Sequence, residues 1–167
     1  MLNADQWYPT PEGTGTTPPP LMHSWLTESG LLTARLRALC ADQFRLEVLN
    51  QSGPDPDNAT RRQIILCCGN KPCIYAETVI PAVTSAEFPW LSQLGDEPLG
   101  ERLSSQPDVR RSPFRYRQLP ITIVPVDVQT TAGYFWARSS DFHLAETALT
   151  VTEAFLPGIV SCENGKF

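Results

Sequence analysis

Two side chains in this sequence stand where they could do chemistry. Arg62 follows Arg61 directly after the turn-rich run Ser52-Gly53-Pro54-Asp55-Pro56-Asp57-Asn58. Glu153 is the lone acid in Leu149-Thr150-Val151-Thr152-Glu153-Ala154-Phe155-Leu156. A guanidinium can grip a carboxylate through two parallel hydrogen bonds, which an ammonium cannot reproduce. A carboxylate can orient a hydroxyl or move its proton. Taken alone, each residue also has an ordinary explanation: Arg62 as a solvated strand end, Glu153 as an acid on an outward strand face. Arg138, beside Trp136, is a second cation for an anionic ligand or a cation packed on an aromatic ring. Glu77 is a partner for a buried arginine or an exposed strand residue.

The cysteines and histidines offer less. Five cysteines (Cys40, Cys67, Cys68, Cys73, Cys162) without C-x-x-C spacing read as reduced thiols rather than a disulfide framework. Cys67 and Cys68 are adjacent, so on a strand they point to opposite faces. His23 and His143 complete no ligand set, so no metal site is expected.

At 167 residues the chain fits one domain. A net charge of −5 argues against a nucleic-acid partner, because phosphate binding needs a basic surface. The basic–aromatic alternation Phe114-Arg115-Tyr116-Arg117 then reads as a solvated strand. An anionic small ligand would have to be held by a few local arginines against the overall field. No apolar run is long enough to cross a membrane, and the first ten residues lack the pattern of a secretory signal, so the expectation is a cytoplasmic protein.

The positioning elements come next. Residues 1–20 are rich in Pro, Gly and Thr and are expected to be extended or partly disordered, with one domain over residues 21–167. A short helix is expected from His23 to Ser29 and a second from Thr33 to Cys40, where Leu32, Leu36, Leu39 and Cys40 share one face. Phe44 to Leu49 alternates as a strand. Arg62 to Cys68 and Cys73 to Ile80 form an antiparallel hairpin, and Pro81 stops its second strand. Short helices are expected at Ser85 to Leu94 and near Leu103. Strands should follow at Val109 to Gln118, Gly133 to Leu144 and Thr147 to Phe155. Pro120 to Thr131 is apolar but fits no element. The sum is an α+β domain with a mostly antiparallel sheet.

Four segments in this order resemble the chorismate lyase (4-hydroxybenzoate synthase) family. They are Trp25-Leu26-Thr27-Glu28-Ser29-Gly30-Leu31-Leu32-Thr33-Ala34-Arg35-Leu36, Arg62-Gln63-Ile64-Ile65-Leu66-Cys67 with Thr78-Val79-Ile80-Pro81, Leu94-Gly95-Asp96-Glu97-Pro98-Leu99-Gly100, and Trp136-Ala137-Arg138-Ser139 with Thr152-Glu153-Ala154-Phe155-Leu156-Pro157. The resemblance implies a six-stranded antiparallel sheet with a lid-covered site and cofactor-free conversion of chorismate to 4-hydroxybenzoate and pyruvate. That product would feed plastoquinone or ubiquinone synthesis, and the family's usual form is a monomer. It implies Arg62 on the ring carboxylate, Glu153 at the ring hydroxyl, the Leu99 backbone N–H beside the carboxylate and Leu32 from a lid. Thr33, Glu77 and Arg138 are accessory candidates. Glu77 and Cys73 depart from the arginine and tryptophan of familiar bacterial members. With the extra residues around Pro120 to Thr131, they look more like the cyanobacterial and algal-plastid branch.

Aromatisation drives such a reaction, so neither metal nor redox cofactor is required. Of two roles for Glu153, holding the substrate in its reactive conformer is favoured over removing a proton. A non-catalytic sensor of small aromatic acids on the same fold is the competing reading, because fold alone does not fix function. A chorismate binder that has lost activity is a third. Release of pyruvate separates the first reading from the other two.

Overall fold

A computed structural model describes residues 6–165. The fold is α+β, built on one antiparallel sheet. Its strands are β1 (Phe44–Ser52), β2 (Ala59–Cys68), β3 (Lys71–Pro81), β4 (Arg110–Arg111), β5 (Arg115–Pro120), β6 (Tyr134–Leu144) and β7 (Thr147–Phe155). The order is β1-β2-β3-β7-β6-β4, with β5 also paired to β6. Six strands were expected. The seventh is the two-residue β4, which the kink at Ser112-Pro113 separates from β5 because proline has no N–H to continue the ladder.

Helices cover one face: α1 (Pro20–Leu26), α2 (Leu32–Cys40), α3 (Ala82–Glu87), α4 (Leu99–Ser104) and α5 (Gly158–Glu163). α1 begins three residues before the expected position because Pro20, with its fixed φ, suits the first helical turn. The helix expected over Ser85 to Leu94 is divided. Pro89 cannot continue α3, and a 3-10 turn runs from Pro89 to Gln93. α5 was not anticipated, since six residues present too little periodicity to read. In the N-terminal segment, Tyr8 pairs with Tyr116 as an isolated bridge and Pro11–Thr14 forms a 3-10 turn. The first five residues of that segment lie outside the described residues.

Strand alternation sorts the side chains. Leu66, Ile74 and Phe155 join Trp25, Leu26 and Leu36 in one cluster beneath α1, α2 and α5. Ile80, Phe142, Leu149 and Val151 join Leu91, Leu94 and Leu103 in a second beneath α3 and α4. On the opposite face Ile65, Tyr75, Leu119, Phe135, Ala137 and Ala154 are covered by Ile121, Val124, Val126 and Val128. The stretch Pro120 to Thr131, which fitted no element, is therefore the irregular cover of the sheet's second face.

One close approach limits substitution. A methyl group at Gly158 would overlap the Pro72 carbonyl oxygen and lie 3.2 Å from Cys73 Sγ. Gly158→Ala should therefore destabilise the fold by about 1–3 kcal/mol, because backbone must move to admit it. Urea denaturation followed by circular dichroism measures this, and an unchanged midpoint would contradict the close packing.

The reading of all five cysteines as free thiols is corrected. Cys40 and Cys68 are paired as a disulfide, with Cα atoms 5.5 Å apart. The last residue of α2 meets the last residue of β2, a tertiary proximity that spacing along the chain does not reveal.

Candidate active site

Ladder register decides which of the candidate residues can meet. Arg62 pairs with Thr78, and Thr78 with Val151. Ile64 pairs with Ala76, Ala76 with Glu153, and Glu153 with Arg138. Arg62 and Glu153 thus share the helix-covered face, two strands and two residues apart. Ordinary strand spacing and rise place their Cα atoms about 12 Å from each other. That gap admits a six-membered ring with a substituent at each end.

A cavity fills the gap. Its floor is Ile64, Leu66, Ile74, Ala76, Thr78 and Val151, and its roof is Leu31, Leu32, Thr33, Pro98, Leu99 and Gly100. Arg62 lines it, as do Glu153, Arg111 and Phe142. The roof comes from the α2 N-terminus and the α4 N-terminus. Both helix ends lie over the sheet.

Arg62 is 1% exposed. Its Nη1 donates to Gln51 Oε1 at 3.0 Å and to the Gly95 carbonyl at 2.7 Å, and its Nη2 to the Glu97 carbonyl at 3.1 Å. These bonds hold the guanidinium plane and tie it to the loop that leads into α4. Its Nε is buried and has no partner among the described residues. Burial pulls the Arg62 pKa down, and Asp96 partly offsets this. An arginine nonetheless stays cationic, so the site holds a buried charge with an unused donor edge. The Leu99 N–H lies in the first turn of α4, where no intrahelical acceptor exists.

Glu153 sits opposite. Its Oε2 accepts from Arg138 Nε at 2.7 Å and lies 3.6 Å from Arg111 Nη2. No described residue donates a hydrogen bond to Oε1. Arg138 is fully buried, donates to the Leu26 and Glu28 carbonyls, and stacks 3.9 Å from the Phe114 ring. It stands behind Glu153 and holds it rather than lining the cavity.

Arg111 was missed in the sequence. Its Nε donates to Ser140 Oγ at 2.8 Å, and the rings of Phe114 and Phe142 flank it. Burial lowers its pKa, Glu153 raises it, and Arg138 lowers it further. Nothing in the sequence distinguishes Arg111 from Arg110, Arg115 or Arg117. Its pairing with Phe142 turns it into the site.

Of the sequence candidates, Leu32, Thr33, Arg62, Leu99 and Glu153 converge on this cavity, and Arg138 supports it from behind. Glu77, an accessory candidate, does not line this cavity. The alternation that points Ala76 and Thr78 inward sends Glu77 to the opposite face. There it accepts from Arg61 Nη1 at 3.2 Å, Gln63 Nε2 at 3.0 Å and the Tyr75 hydroxyl at 3.4 Å. Burial and the Glu77 charge push the Tyr75 hydroxyl up to about 12. The Glu77 charge therefore lies outside the cavity.

A Bacillus cereus transcriptional regulator of the GntR family shares the fold with a TM-score of 0.52, covering 69% of this chain and 92% of that chain at 12% identity. A probable chorismate pyruvate-lyase of Cupriavidus pinatubonensis is 35% identical over 87% of this chain and 85% of its own length. Another from Halorhodospira halophila is 33% identical over 96% and 95%. The sequence model of the chorismate lyase family matches residues 1–164. The chain belongs to the chorismate lyase family.

Proposed function

We propose that this protein is a chorismate lyase that releases 4-hydroxybenzoate and pyruvate. The observation that carries the proposal is the cavity with a guanidinium at each end, because chorismate bears two carboxylates. Arg62 takes the ring carboxylate on its free Nε edge, assisted by the Leu99 N–H. Arg111 takes the enolpyruvyl carboxylate, and Glu153 Oε1 accepts from the ring hydroxyl. The aliphatic floor and the Leu32 roof exclude water from the ring.

In this pose the reaction is a six-centre shift. The hydrogen on the hydroxyl-bearing carbon passes to the enolpyruvyl methylene, and the ring–ether C–O bond breaks. The electrons of the broken C–H bond complete the aromatic ring. Fixing both carboxylates and the hydroxyl selects the reactive conformer, and such positioning contributes several kcal/mol. Arg111 also stabilises charge that develops on the departing oxygen. A monomer acting in the cytoplasm and supplying a quinone pathway fits this reading.

The first test is stoichiometry. Purified protein given chorismate should yield pyruvate and 4-hydroxybenzoate in equal amounts. Binding of 4-hydroxybenzoate without pyruvate release would favour the sensor reading instead. Deuterium on the hydroxyl-bearing carbon should appear in the pyruvate methyl group.

Arg111 permits a sharper prediction. 4-Hydroxybenzoate lacks the second carboxylate. Arg111→Gln should therefore lower kcat/KM for chorismate about 30-fold, the worth of one charge-assisted hydrogen bond, while changing product affinity less than about 3-fold. Equal losses for substrate and product would remove Arg111 from the enolpyruvyl end.

A further inference from the structure

Four of the five cysteines converge away from the cavity, each from a different element. Cys40 closes α2, Cys68 closes β2, Cys73 stands near the start of β3, and Cys162 lies on α5. All are between 0% and 3% exposed. The sulfurs of Cys68, Cys73 and Cys162 lie within 4.8 Å of one another, with Cys73 and Cys162 4.0 Å apart. The fourth sulfur, that of Cys40, is bonded to Cys68. Cys67 faces the opposite side of the sheet, near Arg45 and Glu47.

We propose that, with the Cys40–Cys68 bond reduced, Cys40, Cys68, Cys73 and Cys162 form a structural tetrathiolate site for a zinc ion. The dimensions fit. Zinc–sulfur bonds of about 2.3 Å in a tetrahedron set sulfur–sulfur separations of about 3.8 Å. Three sulfurs already occupy a volume of that size. Cys40 and Cys68 reach it when reduction lets their sulfurs separate, over a Cα spacing of 5.5 Å. A small-molecule thiol supplies the reduction: two thiols become one disulfide, and the two cysteines gain two electrons and two protons. Zinc then replaces the four thiol protons.

Simple apolar packing would scatter cysteines through the cluster of Trp25, Leu36 and Phe155, whereas here they are mutual neighbours. The consequence is mechanical. The metal would pin α2, whose first turn carries Leu32 and Thr33 over the cavity, to β2, β3 and α5.

The test uses the whole protein, produced in a reducing cytosol with zinc and purified without chelator. Elemental analysis should find one zinc per chain. Cys73→Ser and Cys162→Ser should hold less than about a tenth of that, and Cys67→Ser should keep all of it. Wild-type apoprotein, reduced and shown by circular dichroism to be folded, should take up one cobalt(II) and develop the visible absorption of a tetrahedral tetrathiolate. That measurement stands whether or not the serine variants fold. Failure of the folded, reduced protein to bind zinc or cobalt would overturn the proposal. So would bound iron in place of zinc, or mass mapping that finds Cys40–Cys68 or Cys73–Cys162 disulfides in protein taken from the reducing cytosol.

Discussion

Arg62→Ala is expected to reduce kcat/KM for chorismate about 10³-fold and to weaken 4-hydroxybenzoate binding by a similar factor. Removing one partner of a buried charge pair costs about 2–5 kcal/mol, part of it the penalty of the carboxylate left unpaired. The same change strands Gln51 and the Gly95 and Glu97 carbonyls, which Arg62 holds at 2.7–3.1 Å. Arg62→Lys separates the two effects. An ammonium retains the charge but cannot hold the loop acceptors and a side-on carboxylate together, so a loss of about 10²-fold is expected. Steady-state kinetics and calorimetry with 4-hydroxybenzoate read both quantities. If Arg62→Lys retains wild-type product affinity, the free Nε edge is not where the carboxylate sits.

Glu153 yields the second large effect, and it appears in two measurements. Glu153→Ala leaves Arg138, fully buried, and its neighbour Arg111 without their shared carboxylate. An uncompensated buried charge of this kind costs about 3–5 kcal/mol of stability, measurable as a lowered denaturation midpoint. Turnover should fall at least 100-fold with it, at the upper end of what a lost hydrogen bond to a charged group costs. Glu153→Gln distinguishes the two chemical roles. It keeps the shape and an acceptor oxygen, so a positioning role predicts a kcat loss of only about 10-fold. A general base predicts a loss near 10⁴-fold in an otherwise folded protein.

Much of the candidate site was legible because sheet faces follow from alternation. Arg62, Ile64 and Leu66 must share a face, as must Val151, Glu153 and Phe155, wherever the two strands lie. The neighbouring order of β3 and β7 was not legible, since their register links residues more than seventy positions apart. Arg111 was hidden for a different reason. Its strand is two residues long, and only pairing with Phe142 separates it from the other arginines nearby. Glu77 entered the candidates by motif position, whereas its alternation with Ala76 and Thr78 sends it to the other face. The irregular segment over Ile65 and Tyr75 has no period to detect, because its valines answer to the sheet beneath them rather than to a ladder of their own.

The central position of β7 in the sheet has a consequence for how the chain comes off the ribosome. β1, β2 and β3 can pair as a local meander early in synthesis, but the free edge of β3 waits for the last strand of the chain. Until β7 emerges, that edge exposes unpaired backbone groups beside an apolar face, a template for pairing with another nascent chain. Closure of the β3–β7 pair is a long-range step and should set the refolding rate. It also brings Arg62 and Glu153 together for the first time. Folding speed and the formation of the candidate site are thus one event, and aggregation of truncated chains should stop once β7 and α5 are both included.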